Sequence, residues 1–180
     1  MDSFICNVCS TPCTGGVFDR EAPSCTNCGS NVRIRSLIRA LSLELFGTTL
    51  RLDEFPVLKS VRGLGLSDSE SYADLLSRKF DYVNTHYHKE PRVDISALLP
   101  EDRGAFDFII SSEVFEHVAG PIESTFQNVY RVLKPNGKLI MTVPYTPDGQ
   151  TIEHFAGFQA YTLTMLGGEP VLSVAGTAVN

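Results

Sequence analysis

The stretch that decides the fold is FDFIISSEVFEHVAGPIESTFQNVYRVLKPNGKLIMTVP, residues 106–144. It opens with a nearly continuous apolar run, as expected of a strand that is buried on both faces. A helical pattern follows from residue 121 and is ended by Pro135 and the Asn136-Gly137 turn. A second apolar run, residues 138–144, closes the stretch. Strand, helix and strand in this order predict a βαβ unit with two parallel strands.

The same alternation extends upstream of this unit. Residues 56–66 predict a short strand that runs into a glycine turn, 68–80 a helix, 80–87 a strand and 91–96 a strand stub. In the helix after residue 121, one face carries the apolar side chains Ile122, Phe126, Val129, Tyr130 and Leu133. The chain is therefore expected to be an α/β protein with a parallel sheet, whose ligands bind beyond the carboxyl ends of the strands.

The order of an FD-strand, an EH pair, a helix, RVLKPNG and a strand resembles the class I S-adenosylmethionine-dependent methyltransferases, most closely the type 11 group. The family usually has RVLKPGG at this point. The resemblance is dense over residues 106–144 and loose over 57–160, and it implies a Rossmann-like sheet and S-adenosylmethionine as cofactor. It also implies cofactor-binding positions, which are Gly63, Gly65, Ser67, Asn84, Asp94, Ile95, Ser111, Ser112 and Glu113.

Three further positions depart from the family's pattern. Val61 stands where the family has an acidic residue before its glycines, and Ser67 replaces the third glycine. Asn84 stands where the family carries an acid for the ribose hydroxyls. The sheet is also expected to be short at its C-terminal end, because the residues after Pro144 offer one hairpin at 161–174 and no closing helix.

Four of the five cysteines form two C-x2-C pairs, Cys6 with Cys9 and Cys25 with Cys28. Two such pairs supply the four thiolates of a tetrahedral zinc site, and a site with four protein ligands is structural rather than catalytic. Cys13 is expected to be a spare thiol. The alternatives are two disulfides or buried free thiols, and a reducing compartment disfavours the disulfides.

The pattern divides the chain into a zinc ribbon (1–31), a helical linker (32–56) and a Rossmann-like methyltransferase domain (57–180). The composition is globular, with 43% hydrophobic and 20% charged residues, and it contains no apolar run long enough to cross a membrane. The N-terminus lacks the features of a signal peptide, so a cytoplasmic protein is expected. The net charge of −6 disfavours broad binding to nucleic acid.

The first functional hypothesis is methyl transfer from S-adenosylmethionine to an unidentified acceptor, with the ribbon structural or positioning the substrate. His117 and Tyr145 are candidate catalytic bases, with His154 a third candidate, and residues 145–160 are expected to contribute to acceptor specificity. The second hypothesis is a catalytically degenerate methyltransferase-like binding module. The third and weakest is a nucleic-acid binder that uses Arg33, Arg35 and Arg39, since a solvated helix face is the favoured explanation of these arginines.

Overall fold

The computed structural model describes residues 3–15, 19–97, 103–118, 120–145, 149, 162–166, 169–174 and 177–179. Its strands are β1 (Ser3–Ile5), β2 (Pro12–Thr14), β3 (Leu58–Leu66), β4 (Phe80–Thr85), β5 (Phe106–Ser112), β6 (Leu133–Thr142), β7 (Thr162–Leu166), β8 (Glu169–Val174) and β9 (Thr177–Val179). Its α-helices are α1 (Val32–Phe46), α2 (Glu70–Lys79) and α3 (Ile122–Val132), and short 3₁₀ helices span Leu52–Glu54 and Phe115–His117.

Strands β3 to β6 form one parallel sheet in the order β4-β3-β5-β6. The chain moves outward from β3 to β4 through α2, and then outward on the other side from β5 to β6 through α3. The order therefore reverses between β3 and β5, which is the point where open α/β sheets bind their ligands. This arrangement confirms the predicted Rossmann-like α/β fold.

The two faces of the sheet are covered by different helices. Phe108 and Ile110 of β5 belong to a core cluster with α1 and α2 residues such as Leu37 and Leu76. Ile109, between them in the strand, belongs to a second cluster with Val129 and Val132 of α3. The alternation follows from the two-residue period of a strand, and it places α1 and α2 on one face of the sheet and α3 on the other.

Local capping signals set the ends of the helices. Asn31 caps α1, because its side chain accepts a hydrogen bond from the Ile34 amide at 2.9 Å. Gly47 ends the same helix with a left-handed φ of 69°, which glycine adopts without steric cost. Ser69 caps α2, whose last turn carries Arg78 and Lys79 at the negative end of the helix dipole.

The N-terminal segment packs on α1 rather than standing apart from it. Strands β1 and β2 pair antiparallel, and Cys6, Val8, Cys13 and Cys25 lie in the same buried cluster as the apolar face of α1. Polar contacts support the packing, since the Asn7 side chain donates to the Arg35 carbonyl at 2.9 Å and the Leu52 amide donates to the Asn7 carbonyl at 2.8 Å. The segment that carries the four cysteines is thus continuous with the core under the sheet.

Three sequence predictions about the sheet are wrong in detail. The Asn136-Gly137 turn, predicted to precede the last strand, lies inside β6, which begins at Leu133. The glycines at 63 and 65 lie inside β3, and the turn begins only at Ser67. The stub predicted over 91–96 forms no strand, and only Arg92 bridges to His86. Asp94 instead accepts hydrogen bonds from the amide and hydroxyl of Ser96, and this local turn competes with an extended strand.

The predicted buried face of α3 is also displaced. Thr125, Asn128, Val129 and Val132 are buried, whereas Ile122, Phe126 and Tyr130 are exposed. The Asn128 side-chain amide donates to the carbonyls of residues 95, 96 and 97 at 3.0–3.1 Å. A buried amide requires such partners, so the turn after residue 94 helps to select the face that α3 presents to the core.

The C-terminal hairpin is confirmed and gains a strand. β7 and β8 pair antiparallel, and β9 adds to β8. Among the described residues, no helix combines the length and apolarity that crossing a membrane requires.

Candidate functional site

The four knuckle cysteines converge on one point. Their sulfur atoms all lie within 4.8 Å of one another. Each pair sits in a tight turn, and the residue that follows each turn is left-handed, with φ of 63° at Ser10 and 69° at Gly29. The Ser10 amide donates to the Cys6 carbonyl at 2.8 Å and the Gly29 amide to the Cys25 carbonyl at 3.0 Å, so the two knuckles have the same hydrogen-bonding pattern.

The sulfur spacing fits a zinc ion. A tetrahedron with bonds of ~2.3 Å has edges of ~3.8 Å. The Sγ atoms of Cys6 and Cys28 are 3.8 Å apart, and those of Cys9 and Cys25 are 3.5 Å apart. None of the five cysteines forms a disulfide, and the fifth, Cys13, is buried outside the group of four. The arrangement supports a four-thiolate zinc site without an open coordination position.

The two glycines predicted to approach the cofactor face the protein's own core. A Cβ atom added at Gly63 would lie 2.2 Å from Cζ of Phe108. One added at Gly65 would lie 2.0 Å from the Tyr82 hydroxyl oxygen and 2.6 Å from a carboxylate oxygen of Asp68. Internal packing therefore requires both glycines, whatever ligand lies beyond the strand.

The turn after β3 is held by side chains from β4 and α2. Ser67 has a left-handed φ of 56°, and its amide donates to the Thr85 carbonyl at 2.7 Å. Asn84 accepts from the Asp68 amide and donates to the Asp68 carbonyl, both at 2.9 Å. The predicted ribose-binding side chain thus holds the turn in place.

Asp68 is the buried acid of this region. It accepts hydrogen bonds from the hydroxyl groups of Tyr72, at 2.7 Å, and of Tyr82. Burial raises the pKa of Asp68 to about 7, against the smaller lowering effect of the two tyrosine hydrogen bonds. The carboxyl group therefore changes protonation near neutral pH while fixing α2 and β4 to the turn.

Three predicted residues, Asp94, Ile95 and Ser111, belong to the α3 side of the sheet. Ile95 is buried in the cluster with Phe115 and Val129, and Asp94 is occupied by its contacts with Ser96. Ser111 is fully buried, and its hydroxyl has no hydrogen-bond partner among the described residues. An unsatisfied buried hydroxyl at the carboxyl end of a strand is consistent with a ligand that supplies the missing partner.

The end of β5 meets two arginines from the N-terminal part of the chain. Arg20 donates to Glu113 at 2.6 Å and to the Val143 carbonyl at 2.8 Å. Arg33 donates through Nη1 to the Ser112 hydroxyl, and its Nε lies 3.0 Å from Glu21 and 3.9 Å from Glu113. Glu21 also pairs with Arg20. We call Arg20, Glu21, Arg33 and Glu113 the charge cluster.

The charge cluster keeps Glu113 ionised. Burial would raise the pKa of Glu113, but the hydrogen bond and charge of Arg20, together with Thr142 and Arg33, lower it below its ordinary value. The family resemblance predicts Glu113, whereas no sequence pattern points to Arg20, and the sequence places Arg33 in a basic patch with Arg35 and Arg39. That patch is divided, since Arg35 turns inward to Ser24 and to the Ser30 carbonyl.

The side chains of the two candidate bases within the described residues, His117 and Tyr145, are largely exposed to solvent. The side chain of His117 is 68% exposed, and Nε2 lies 3.8 Å from a carboxylate oxygen of Glu116. Tyr145 is 72% exposed, and its ring centre is 5.9 Å from the guanidinium carbon of Arg20. His154 lies outside the described residues.

A crevice of about 160 Å³ opens between α1 and the carboxyl ends of β3 and β5. Its lining is mostly polar and consists of Arg33, Ile34, Ser67, Ser69, Tyr72 and Ser112. A second crevice, of about 250 Å³, lies against α2 and edge strand β4 and includes Asn84 and His86. The first brings two predicted residues, Ser67 and Ser112, together with Arg33.

The polar groups of the first crevice fit part of S-adenosylmethionine. Hydroxyl groups and one guanidinium suit the amino-acid end of that cofactor, which carries a carboxylate and an ammonium group. The volume is below the ~300–1,000 Å³ of sites that enclose a whole small molecule. The crevice therefore fits one end of the cofactor.

Comparison with known proteins agrees with the resemblance seen in the sequence. Residues 64–141 match the family described as a methyltransferase domain. No curated protein shows significant similarity to the chain.

Similar solved structures include the trans-methyltransferase CalH in complex with SAH, at 20% identity and a TM-score of 0.37, covering 45% of this chain and 31% of that one. The DszA carbon methyltransferase is 18% identical with a TM-score of 0.42, covering 61% and 33%. A SAM-dependent methyltransferase from Aquifex aeolicus is 17% identical with a TM-score of 0.35, covering 57% and 66%. The chain spans about a third of the length of the first two.

Proposed function

We propose that the chain transfers a methyl group from S-adenosylmethionine to an acceptor that is still to be identified. The observation that carries the proposal is the match of residues 64–141 to a methyltransferase domain. The polar crevice at the point where the strand order reverses supports it, because open α/β sheets bind ligands there.

When bound, the cofactor supplies a methyl group on a positively charged sulfur, and the protein's contribution is mainly positioning. Ser67, Ser69, Arg33 and Ser112 would hold its amino-acid end. Zinc would stabilise the ribbon through Cys6, Cys9, Cys25 and Cys28 and would take no part in the chemistry.

An acceptor with a hydroxyl or amide nucleophile would need a base. The Tyr145 ring lies beside the Arg20 guanidinium, and the His117 side chain is largely exposed to solvent. We therefore propose the rim between these two side chains as the acceptor's side of the site.

A second candidate function is a binding module without turnover. The packing of Gly63 and Gly65 against Phe108 and Tyr82 favours it, because that space is filled by the protein itself. Asn84 is likewise engaged with the Asp68 backbone. Nucleic-acid binding is less favoured, since Arg33 and Arg35 are engaged within the protein. We place the protein in the cytoplasm, where zinc thiolates stay reduced.

Calorimetric titration of the zinc-loaded chain with S-adenosylmethionine and S-adenosylhomocysteine tests the proposal. Micromolar binding of both is expected, and the Ser112→Phe variant, which fills the crevice, should bind neither. Ser36→Phe is the matched control, because Ser36 is exposed on α1. If the folded chain does not bind the cofactor at millimolar concentration, the proposed methyltransferase function is refuted. Binding without methyl transfer to any tested acceptor pool would favour the binding module.

A further inference from the structure

Among the described residues that line the crevice between α1 and the ends of β3 and β5, Arg33 alone carries a charge. Its side chain is 17% exposed, so the guanidinium is largely withdrawn from water. It comes from helix α1, outside the segment that matches the methyltransferase domain. A partly desolvated guanidinium attracts an anion more strongly than one at the surface does.

We propose that Arg33 binds the carboxylate of the cofactor's amino-acid end and so determines which sulfonium nucleosides the site accepts. The inference rests on the function proposed above. A guanidinium offers five N–H donors, and the contacts found among the described residues use Nε, toward Glu21, and Nη1, toward Ser112. The Nη2 edge remains to donate to a ligand in the crevice.

The neighbouring groups orient Arg33 and match the charge of the ligand. Glu21 and the Ser112 hydroxyl hold two sides of the guanidinium, which lowers the entropy cost of using the third. The charge cluster contains two cations and two anions. A zwitterionic amino-acid end needs both signs, and Glu113, 3.9 Å from Arg33, supplies the negative one.

The N-terminal end of α2 adds to the preference for a carboxylate. Ser67 and Ser69 line the crevice next to the first turn of this ten-residue helix, where the helix dipole favours negative charge. Arg33 on one side and the start of α2 on the other would thus enclose the carboxylate. The hydroxyl groups of Ser112 and Tyr72 complete the polar lining.

The test compares two ligands that differ only in the carboxylate, S-adenosylhomocysteine and its decarboxylated analogue, by calorimetry on the zinc-loaded full chain. The wild-type protein should bind S-adenosylhomocysteine about 10- to 100-fold more tightly than the analogue, because a hydrogen bond between charged groups strengthens binding by roughly that factor. Arg33→Met should remove most of this preference by weakening the binding of S-adenosylhomocysteine and not that of the analogue. Arg39→Met, an exposed arginine on the same helix, is the control and should keep it.

The outcomes separate the two proposals. If the wild-type chain binds both ligands equally, Arg33 does not bind the carboxylate and the methyltransferase proposal stands. If Arg33→Met weakens the binding of both ligands by the same factor, Arg33 only shapes the crevice and the inference is overturned. If the folded wild-type chain binds neither ligand, both proposals fail. Thermal melting of each variant identifies any loss of folding.

Discussion

Replacing Gly63 by alanine tests whether the glycines of β3 serve packing or ligand approach. The new Cβ would lie 2.2 Å from Cζ of Phe108 and 2.6–2.7 Å from the two Cε atoms. The closest contact is about 1.3 Å shorter than the ~3.5 Å at which carbon atoms attract one another. The Phe108 ring is fully buried and packs on Phe80 and Tyr82 at centroid distances of 5.3 and 6.0 Å, so it has little room to move.

Overpacking of a well-filled core costs about 1–3 kcal/mol, and this overlap belongs at the upper end of that range. Gly63→Ala should therefore lower the free energy of unfolding by about 3 kcal/mol, which corresponds to a melting temperature lower by roughly 6–12 °C for a chain of this size. Urea denaturation and thermal melting without cofactor measure both quantities.

Phe108→Leu supplies the partner of a double-mutant cycle, because leucine lacks the three ring atoms that the new Cβ would meet. The double variant should be more stable than the sum of the single effects by at least about 1 kcal/mol. Gly47→Ala is a comparison without a clash, where only the left-handed φ of 69° adds a cost of about 1 kcal/mol. A stable Gly63→Ala protein, or a strictly additive cycle, would show that packing does not require this glycine.

Two further predictions concern the metal and the buried acid. The chain should carry one zinc per molecule by elemental analysis, and chelation should lower the melting temperature of the whole protein by at least ~10 °C in one transition, because Cys6 and Cys25 share a core with Phe108. An unchanged transition in the metal-free chain would contradict this. The pKa of Asp68 is about 7 in the folded chain and near its ordinary 3.8 in the unfolded chain. Between these two pH values the folded state therefore binds one more proton than the unfolded state. The stability that Asp68 contributes is consequently lost as pH rises from about 4 to 7. Asp68→Asn should flatten that part of the stability profile by 1 kcal/mol or more, measured by urea denaturation across the range, and an identical profile would exclude Asp68 as its source.

Much of the architecture follows from local patterns. Several signals act within a few residues of chain: the apolar runs of β5 and β6, the capping residues Asn31 and Ser69, and the paired cysteines. The spacing of such residues therefore predicts the secondary-structure elements and the metal ligands. Hydrophobic burial depends on periodicity rather than on a particular partner, and a knuckle places its two thiolates by its own turn. The sequence by itself therefore determined the α/β class, the parallel sheet and the four converging cysteines.

Other features depend on partners that are far away in the chain, and only the tertiary structure decided them. Gly63 and Gly65 belong to the strand because Phe108 and Tyr82, from two neighbouring strands, fill the space beside them. Asn128 turns α3 toward the carbonyls of a loop more than thirty residues earlier. Arg20 reaches Glu113 across 93 residues. Such contacts are set by the crossover connections and strand register of the folded chain, which no local pattern of charge or hydrophobicity encodes.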